Sequence, residues 1–243
     1  MDLRKRETNQ ARVEKIENGW RMSIPAGNKG NYRLAQLDDY VHLTRKQFSS
    51  RPPLTLSLCA RVSAQSLPGT WGFGLWNDPY GSALWLKESP FRAPALPNAI
   101  WFFHAAPPNY LSFRDDKPGQ GFLAQSFSAP RFSAQMIPAT IILPFAPRRT
   151  RQRLSRVIVE DGVRLDVDET QWHGYKLRWS PTRVIFEIDD AVVLETSIVP
   201  RPPLGLVLWI DNQFAAFTPE GKLSFGTVEN PAAWLEVKDL QIT

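Results

Sequence analysis

From Trp20 onward, apolar residues recur in short runs, often at every second position, and Gly, Pro, Asn or Asp separates one run from the next. This pattern predicts an all-β chain, because alternate side chains of a strand point to opposite faces and turn residues end each run. Leu54, Leu56, Leu58 and Ala60 alternate with Thr55, Ser57, Cys59 and Arg61, so one face of a strand over Leu54 to Val62 meets the core. Pro52-Pro53 opens that strand and Leu67-Pro68-Gly69 turns the chain after it. Tyr32 to His42 is read as its partner in a first strand pair. Trp71 to Trp76 sets glycines between large side chains, which predicts a strand closely approached by another strand or by a ligand. Ala99 to His104, Asn109 to Phe113 and Leu204 to Ile210 read as further strands. Trp172 to Trp179, the turn Ser180-Pro181-Thr182, Arg183 to Asp189, the turn Asp189-Asp190 and Ala191 to Glu195 read as a three-strand meander. In a final strand over Ala233 to Ile242, Leu235 and Val237 share one face and Trp234, Glu236 and Lys238 the other.

Long helical periodicity is absent, so the expected architecture is a two-sheet antiparallel β-sandwich. Sandwiches of this length form around one core, and residues 18–243 are assigned to one domain. The polar, charged residues 1–17 read as a flexible tail or short helix, and Asp115 to Pro147 as short strands joined by long loops. With 43% hydrophobic and 22% charged residues, the chain has material for a substantial core. Its single cysteine, Cys59, allows no intrachain disulfide. No apolar run reaches the roughly 18 to 20 residues that span a bilayer, so no membrane partner is expected. The start Met1-Asp2-Leu3-Arg4-Lys5-Arg6 has no apolar run behind it, which makes cytoplasmic the default location and secretion dependent on a removed leader. The net charge of +5 gives a mild preference for anionic partners. Five arginines between Arg148 and Arg156 read as a solvated loop before the next strand, in preference to a grip on phosphate or acidic sugar. No nucleic-acid face is expected, since the aromatics lie elsewhere.

Motif chemistry is sparse. His42, His104 and His173 are isolated and form no short metal-ligand motif. There is no Gly-x-Ser-x-Gly elbow, no phosphate loop and no dinucleotide fingerprint, so no cofactor is expected. The conspicuous feature is nine tryptophans. Exposed indoles can stack on sugar faces, whereas buried ones fill a core. Trp71, Trp76, Trp85 and Trp209 are the ones singled out for ligand contact.

The segment Trp172-His173-Gly174-Tyr175-Lys176-Leu177-Arg178-Trp179-Ser180-Pro181 resembles the Trp-His-x-Tyr-x-x-x-Trp-x-Pro stretch of the concanavalin A-like lectin and glucanase superfamily. Within that superfamily it is most similar to the laminarinase-like glycoside hydrolases. Leu235 to Ile242 resembles their closing strand, and Gly69 to Trp76 their Gly-x-Trp-Pro-x-x-Trp strand. The resemblance implies a jelly roll whose concave sheet forms a sugar-binding cleft. Trp71, Phe73 and Trp76 would lie near that cleft, with Trp209, Asp211 and Asn212 on or beside another of its strands. Trp172 and Trp179 would frame the sandwich. A structural calcium is raised by the same resemblance, with Asp161, Asp166, Asp168 and Asp211 as donors, but unliganded turn carboxylates are the preferred reading and no metal ligand is assigned.

Retaining glucanases of this kind carry Glu-x-Asp-x-x-Glu on one strand, because their mechanism needs two carboxyl groups roughly 5 to 5.5 Å apart. No such triplet occurs between Gly69 and Phe132. The substitutes are Asp78 and Glu88 and Asp115-Asp116, neither with the same-face spacing, and Asp166, Asp168 and Glu169, which alternate in part but precede the Trp172 strand and fall at its hairpin or edge. The expected function is therefore a noncatalytic or catalytically divergent carbohydrate-binding protein, its partner an oligosaccharide or polysaccharide in a concave, aromatic-lined cleft. Two alternatives stand beside it: a glycoside hydrolase with relocated carboxylates, and a structural or protein-interaction sandwich. Oligomeric state is left open.

Overall fold

The computed structural model describes residues 2–79, 81, 90, 92–130 and 147–243. Numbered in chain order, sheet A contains β1 (Arg4–Thr8), β4 (Leu34–Asp38), β13 (Gly205–Asp211), β6 (Thr70–Trp76), β7 (Ala99–Ala105), β8 (Gly121–Ser128) and β9 (Val159–Arg164), adjacent in that order. Sheet B runs β12 (Ala191–Thr196), β11 (Val184–Ile188), β10 (His173–Trp179), β5 (Leu54–Val62), β16 (Ala233–Ile242), β3 (Gly19–Ile24) and β2 (Arg12–Ile16). A hairpin of β14 (Gln213–Phe217) and β15 (Leu223–Thr227) and one helix, α1 (Pro147–Val157), complete the described elements. Neighbouring strands in both sheets are antiparallel, and the sheets pack as a jelly-roll sandwich.

The period-two pattern produces this directly. In β5, Leu54, Leu56, Leu58, Ala60 and Val62 are buried while the residues between them are partly exposed. Sheet A answers with Phe73, Ile100, Phe102 and Leu208 from its inward face. Aromatic pairs cross between the sheets edge to face: Phe73 with Tyr175 at 5.0 Å and Phe102 with Phe186 at 5.3 Å. Each fully buried side chain of this size contributes roughly 1.5–3 kcal/mol. The closing strand β16 lies inside sheet B between β5 and β3, with Leu235 and Val237 fully buried. The meander β10–β11–β12 forms as its sequence predicts, and its tight turn is set by Asp189 and Asp190 at φ 49° and 63°. Aspartate tolerates that left-handed region, and the paired conformation matches the twist of the strands it joins.

Four sequence readings change. Tyr32 to His42 and Leu54 to Val62 do not pair; β4 belongs to sheet A and β5 to sheet B, because a jelly roll sends consecutive strands across the sandwich. Residues 4–16 form β1 and β2 at sheet edges, where two buried side chains, Ala11 and Val13, and ladder hydrogen bonds suffice to hold charged strands. Asn109 to Phe113 makes only an isolated bridge, Tyr110 to Ala216. The arginine run is the helix α1, since Thr150, Arg151 and Leu154 fall on one side at helical spacing and arginine is a good helix former. Arg151 is buried there, donating to the Phe217 and Ser112 carbonyls and pairing with Asp115 at 2.6 Å.

Candidate functional site

Alternation gives sheet A a second face, turned away from sheet B. Glycines make its floor. A Cβ on Gly72 would stand 2.9 Å from the Trp209 ring, one on Gly74 2.6 Å from the Trp101 Cβ, and one on Gly205 2.5 Å from the Tyr40 ring. The close approach that the glycine-aromatic strand predicts is thus made by the neighbouring strand β7, whose Phe102 and Ile100 carbonyls stand nearest, and by the Trp209 ring. Trp209, Trp101 and Trp76 meet there: Trp76 and Trp209 stack 6.5 Å apart and 9° from parallel, and Trp101 sits 5.9 Å from Trp209 and 6.0 Å from Trp76. Phe103 packs 5.3 Å from Trp101 and 5.5 Å from Trp209. Trp209 is buried, whereas Trp76 and Trp101 are half-buried.

Hydrogen bonds fix the cluster in place. The Trp209 indole donates to Thr70 Oγ1 at 2.9 Å, and that hydroxyl donates to Asp211 Oδ1 at 2.7 Å. Tyr32 donates its hydroxyl proton to Asp211 Oδ2 at 3.1 Å. Burial pushes the Asp211 carboxyl up to about 7, against the downward pull of the Thr70, Gln213 and Tyr32 hydrogen bonds. Asp211 thus orients Trp209, while Asn212 is fully buried, accepting from the Arg33 backbone and donating to the Asn31 and Val228 carbonyls. Asp211 and Asn212, expected on or beside a strand of the cleft, carry bonds that brace the end of β13.

The reading of Trp71 and Phe73 is corrected. Both point into the inter-sheet core, Trp71 stacked on His104 at 5.5 Å, because they occupy the opposite phase of β6 from Gly72 and Gly74. Asp78 is buried with its carboxylate on Arg92 Nε at 2.8 Å, an anchor for the chain after β6. Trp85 and Glu88 lie outside the described residues. Trp179 packs in the core, and Trp172 lies on the outside of sheet B beneath Arg61 and Lys238.

The outward residues of β6, β7 and β8 include no carboxylate. Elsewhere on this face, Asp38 accepts from Gln36 and the Tyr40 and Val41 amides, and Glu160 Oε1 accepts from Ser112 and the Phe113 and Arg114 amides. Burial raises both carboxyls above their ordinary values, and these bonds oppose it. Pattern reading alone passed over Trp101, Gln125 and Glu160. Trp101 and Gln125 are cross-strand neighbours on this face, and Trp101 Nε1, Gln125 Oε1 and Glu160 Oε2 are buried polar atoms without hydrogen-bond partners among the described residues. The only signal in the sequence was their phase relative to the core residues Ile100, Phe102 and Ala124.

Asp161 pairs with Lys117 at 2.6 Å, and Asp168 accepts from Thr170 and Gln65. No group of three or more His, Cys, Asp or Glu side chains that could hold a metal ion occurs among the described residues.

The architecture is a two-sheet antiparallel jelly-roll sandwich of the concanavalin A-like type, here with an aromatic outer face on sheet A. No protein-family model matches the chain, and no curated protein matches it by sequence. Among solved structures it is similar to an endo-acting O-glycanase from the human gut microbiota, at 11% identity and TM-score 0.54, over 99% of this chain and 91% of the other. It is similar to a glycoside hydrolase family 16 endo-glucanase from Bacteroides ovatus, at 9% identity and TM-score 0.50, over 99% and 94%. A legume lectin-like domain from Entamoeba histolytica aligns at 12% identity and TM-score 0.49, over 100% and 88%.

Proposed function

We propose that the protein binds a carbohydrate without hydrolysing it, the sugar lying on the outer face of sheet A against Trp76 and Trp101. The observation that carries the reading is the indole cluster on a glycine floor, in which Trp76 and Trp101 remain half-exposed while Trp209 is locked beneath them. Such rings offer a flat apolar wall for the face of a sugar. The glycanase and the glucanase, at TM-scores 0.54 and 0.50, favour a saccharide as the ligand of this fold. The noncatalytic part rests on the carboxylates: Asp38, Asp78 and Asp211 are spent on structural bonds, and β6 to β8 offer none outward.

The test is titration of the intact protein against a broad set of oligosaccharides, with Trp101→Ala as the control. Selective binding that falls at least about tenfold in a variant that still melts cooperatively supports the reading; no binding across the set overturns it. One observation favours hydrolysis as a second reading: Glu160 Oε2 is unpartnered and burial raises this carboxyl. Release of reducing ends that disappears in Glu160→Gln decides for that alternative.

A further inference from the structure

At one end of sheet A, beyond Trp76, a notch of about 490 Å³ opens between three connections. The β4–β5 loop supplies Arg45, Lys46 and Arg51; Asn77 follows β6 and Asn98 precedes β7; Arg201 comes from the approach to β13. Its walls are stapled before any ligand arrives. Asn98 Oδ1 accepts from the Arg201 and Ala129 amides, Asn77 Oδ1 accepts from the Asn98 amide, and Arg45 Nε donates to the Asn77 carbonyl at 2.7 Å.

The charge of the notch is one-sided. Four of its described lining residues are cationic and none is acidic. Arg45 and Arg51 use their guanidinium groups on backbone carbonyls, which satisfies the donors without cancelling the charge. Lys46 and Arg201 are exposed, and among the described residues no salt bridge to a carboxylate holds any of the four. Asp78, whose carbonyl helps hold Arg45, has its carboxylate on Arg92. Convergent positive charge in a concave, partly dry site attracts an anion far more strongly than the same charges spread over a convex surface, and a guanidinium recognises carboxylate and sulfate alike.

We infer that this notch binds the anionic group, carboxylate or sulfate, of an acidic saccharide whose rings continue onto the outer face of sheet A over Trp76. The inference rests on the sugar-binding reading and adds the class of sugar. The intact protein is titrated with a neutral oligosaccharide, its uronate-bearing counterpart, its sulfated counterpart and inorganic sulfate alone. The comparison protein is the double variant Lys46→Gln/Arg201→Gln, both positions being exposed, with thermal melting to show that it folds. The expected result is an acidic counterpart binding about tenfold tighter than the neutral one, weakening as salt rises and losing that advantage in the double variant. Whichever acidic arm shows the gain identifies the group. Equal affinity for neutral and acidic sugars overturns the inference and leaves the sugar reading standing. Binding of inorganic sulfate alone, lost in the double variant while every saccharide fails, overturns the saccharide assignment and the sugar reading together.

Discussion

The two outward faces of the sandwich start from the same alternation and end in opposite chemistry. On sheet A, Trp209 and Phe103 are buried, Trp209 over Gly72. On sheet B, Glu236 lies between Arg21 and Arg61, at 2.8 Å from each Nε, and Arg61 is sandwiched by Trp172 at 4.8 Å and Trp234 at 5.4 Å. Burial pushes the Glu236 carboxyl up, but the Arg61 and Arg21 hydrogen bonds outweigh it and hold it below its ordinary value. The difference lies in what covers each face. Loops and the β14–β15 hairpin fold toward sheet A, as the Tyr40 ring over Gly205 and the bond that the Ala215 amide donates to Asn109 Oδ1 show. Sheet B keeps its long cations, which cover the indoles with their own stems and keep their charged ends in water. Tryptophan is therefore a ligand candidate on one sheet and a platform for arginine on the other.

The comparison can be broken at the strand that carries sheet B's outer face. Removing residues 233–243 takes away the strand between β5 and β3 and the buried Leu235 and Val237, so no cooperative melting transition is expected; an unchanged melt contradicts the role assigned to β16. Trp209→Ala opens a cavity above Gly72 and frees Thr70, at a cost of about 4 kcal/mol in denaturant unfolding. Trp234→Ala removes a half-exposed ring and two cation contacts, at about 1 kcal/mol. Equal losses in the two variants would erase the distinction between the faces.

Between these magnitudes lies a pH effect on the inner side of sheet A. Burial holds the His104 imidazole down to about 4, with a weaker upward pull from the Leu67 backbone. The unfolded chain then takes up a proton near pH 6.5 that the folded one refuses, so this group's contribution is constant above about 6.5 and stability is lost as pH falls from there toward 4. The loss approaches about 3 kcal/mol at the acid end. His104→Phe should flatten that part of the stability profile in urea unfolding measured from pH 7 to 4. A profile unchanged by the substitution removes His104 as its cause.

Much of the fold was legible from residue order. The alternation in Leu54 to Val62, Tyr175 to Trp179 and Leu235 to Val237 placed strands and core faces correctly, because burial of one face is a local consequence of a period of two. The Asp189-Asp190 turn was equally local. The candidate site was legible only in part. Trp76 and Trp209 were named from the sequence, but so were Trp71 and Phe73, whose phase turns them inward, and Trp101, Gln125 and Glu160 were passed over.

What the sequence by itself determined is the all-β class, the core faces of the plainly alternating strands β5, β10 and β16, and the absence of a Glu-x-Asp-x-x-Glu strand between Gly69 and Phe132, since each depends on neighbours one to five residues apart. What only the tertiary structure decided is which side of each aromatic strand became the core, that the arginine run folds as α1, and that Arg45 and Arg201, distant in sequence, line one notch. Those outcomes depend on which strands become neighbours and which loops cover them, and a jelly roll sets that through pairings between residues far apart along the chain.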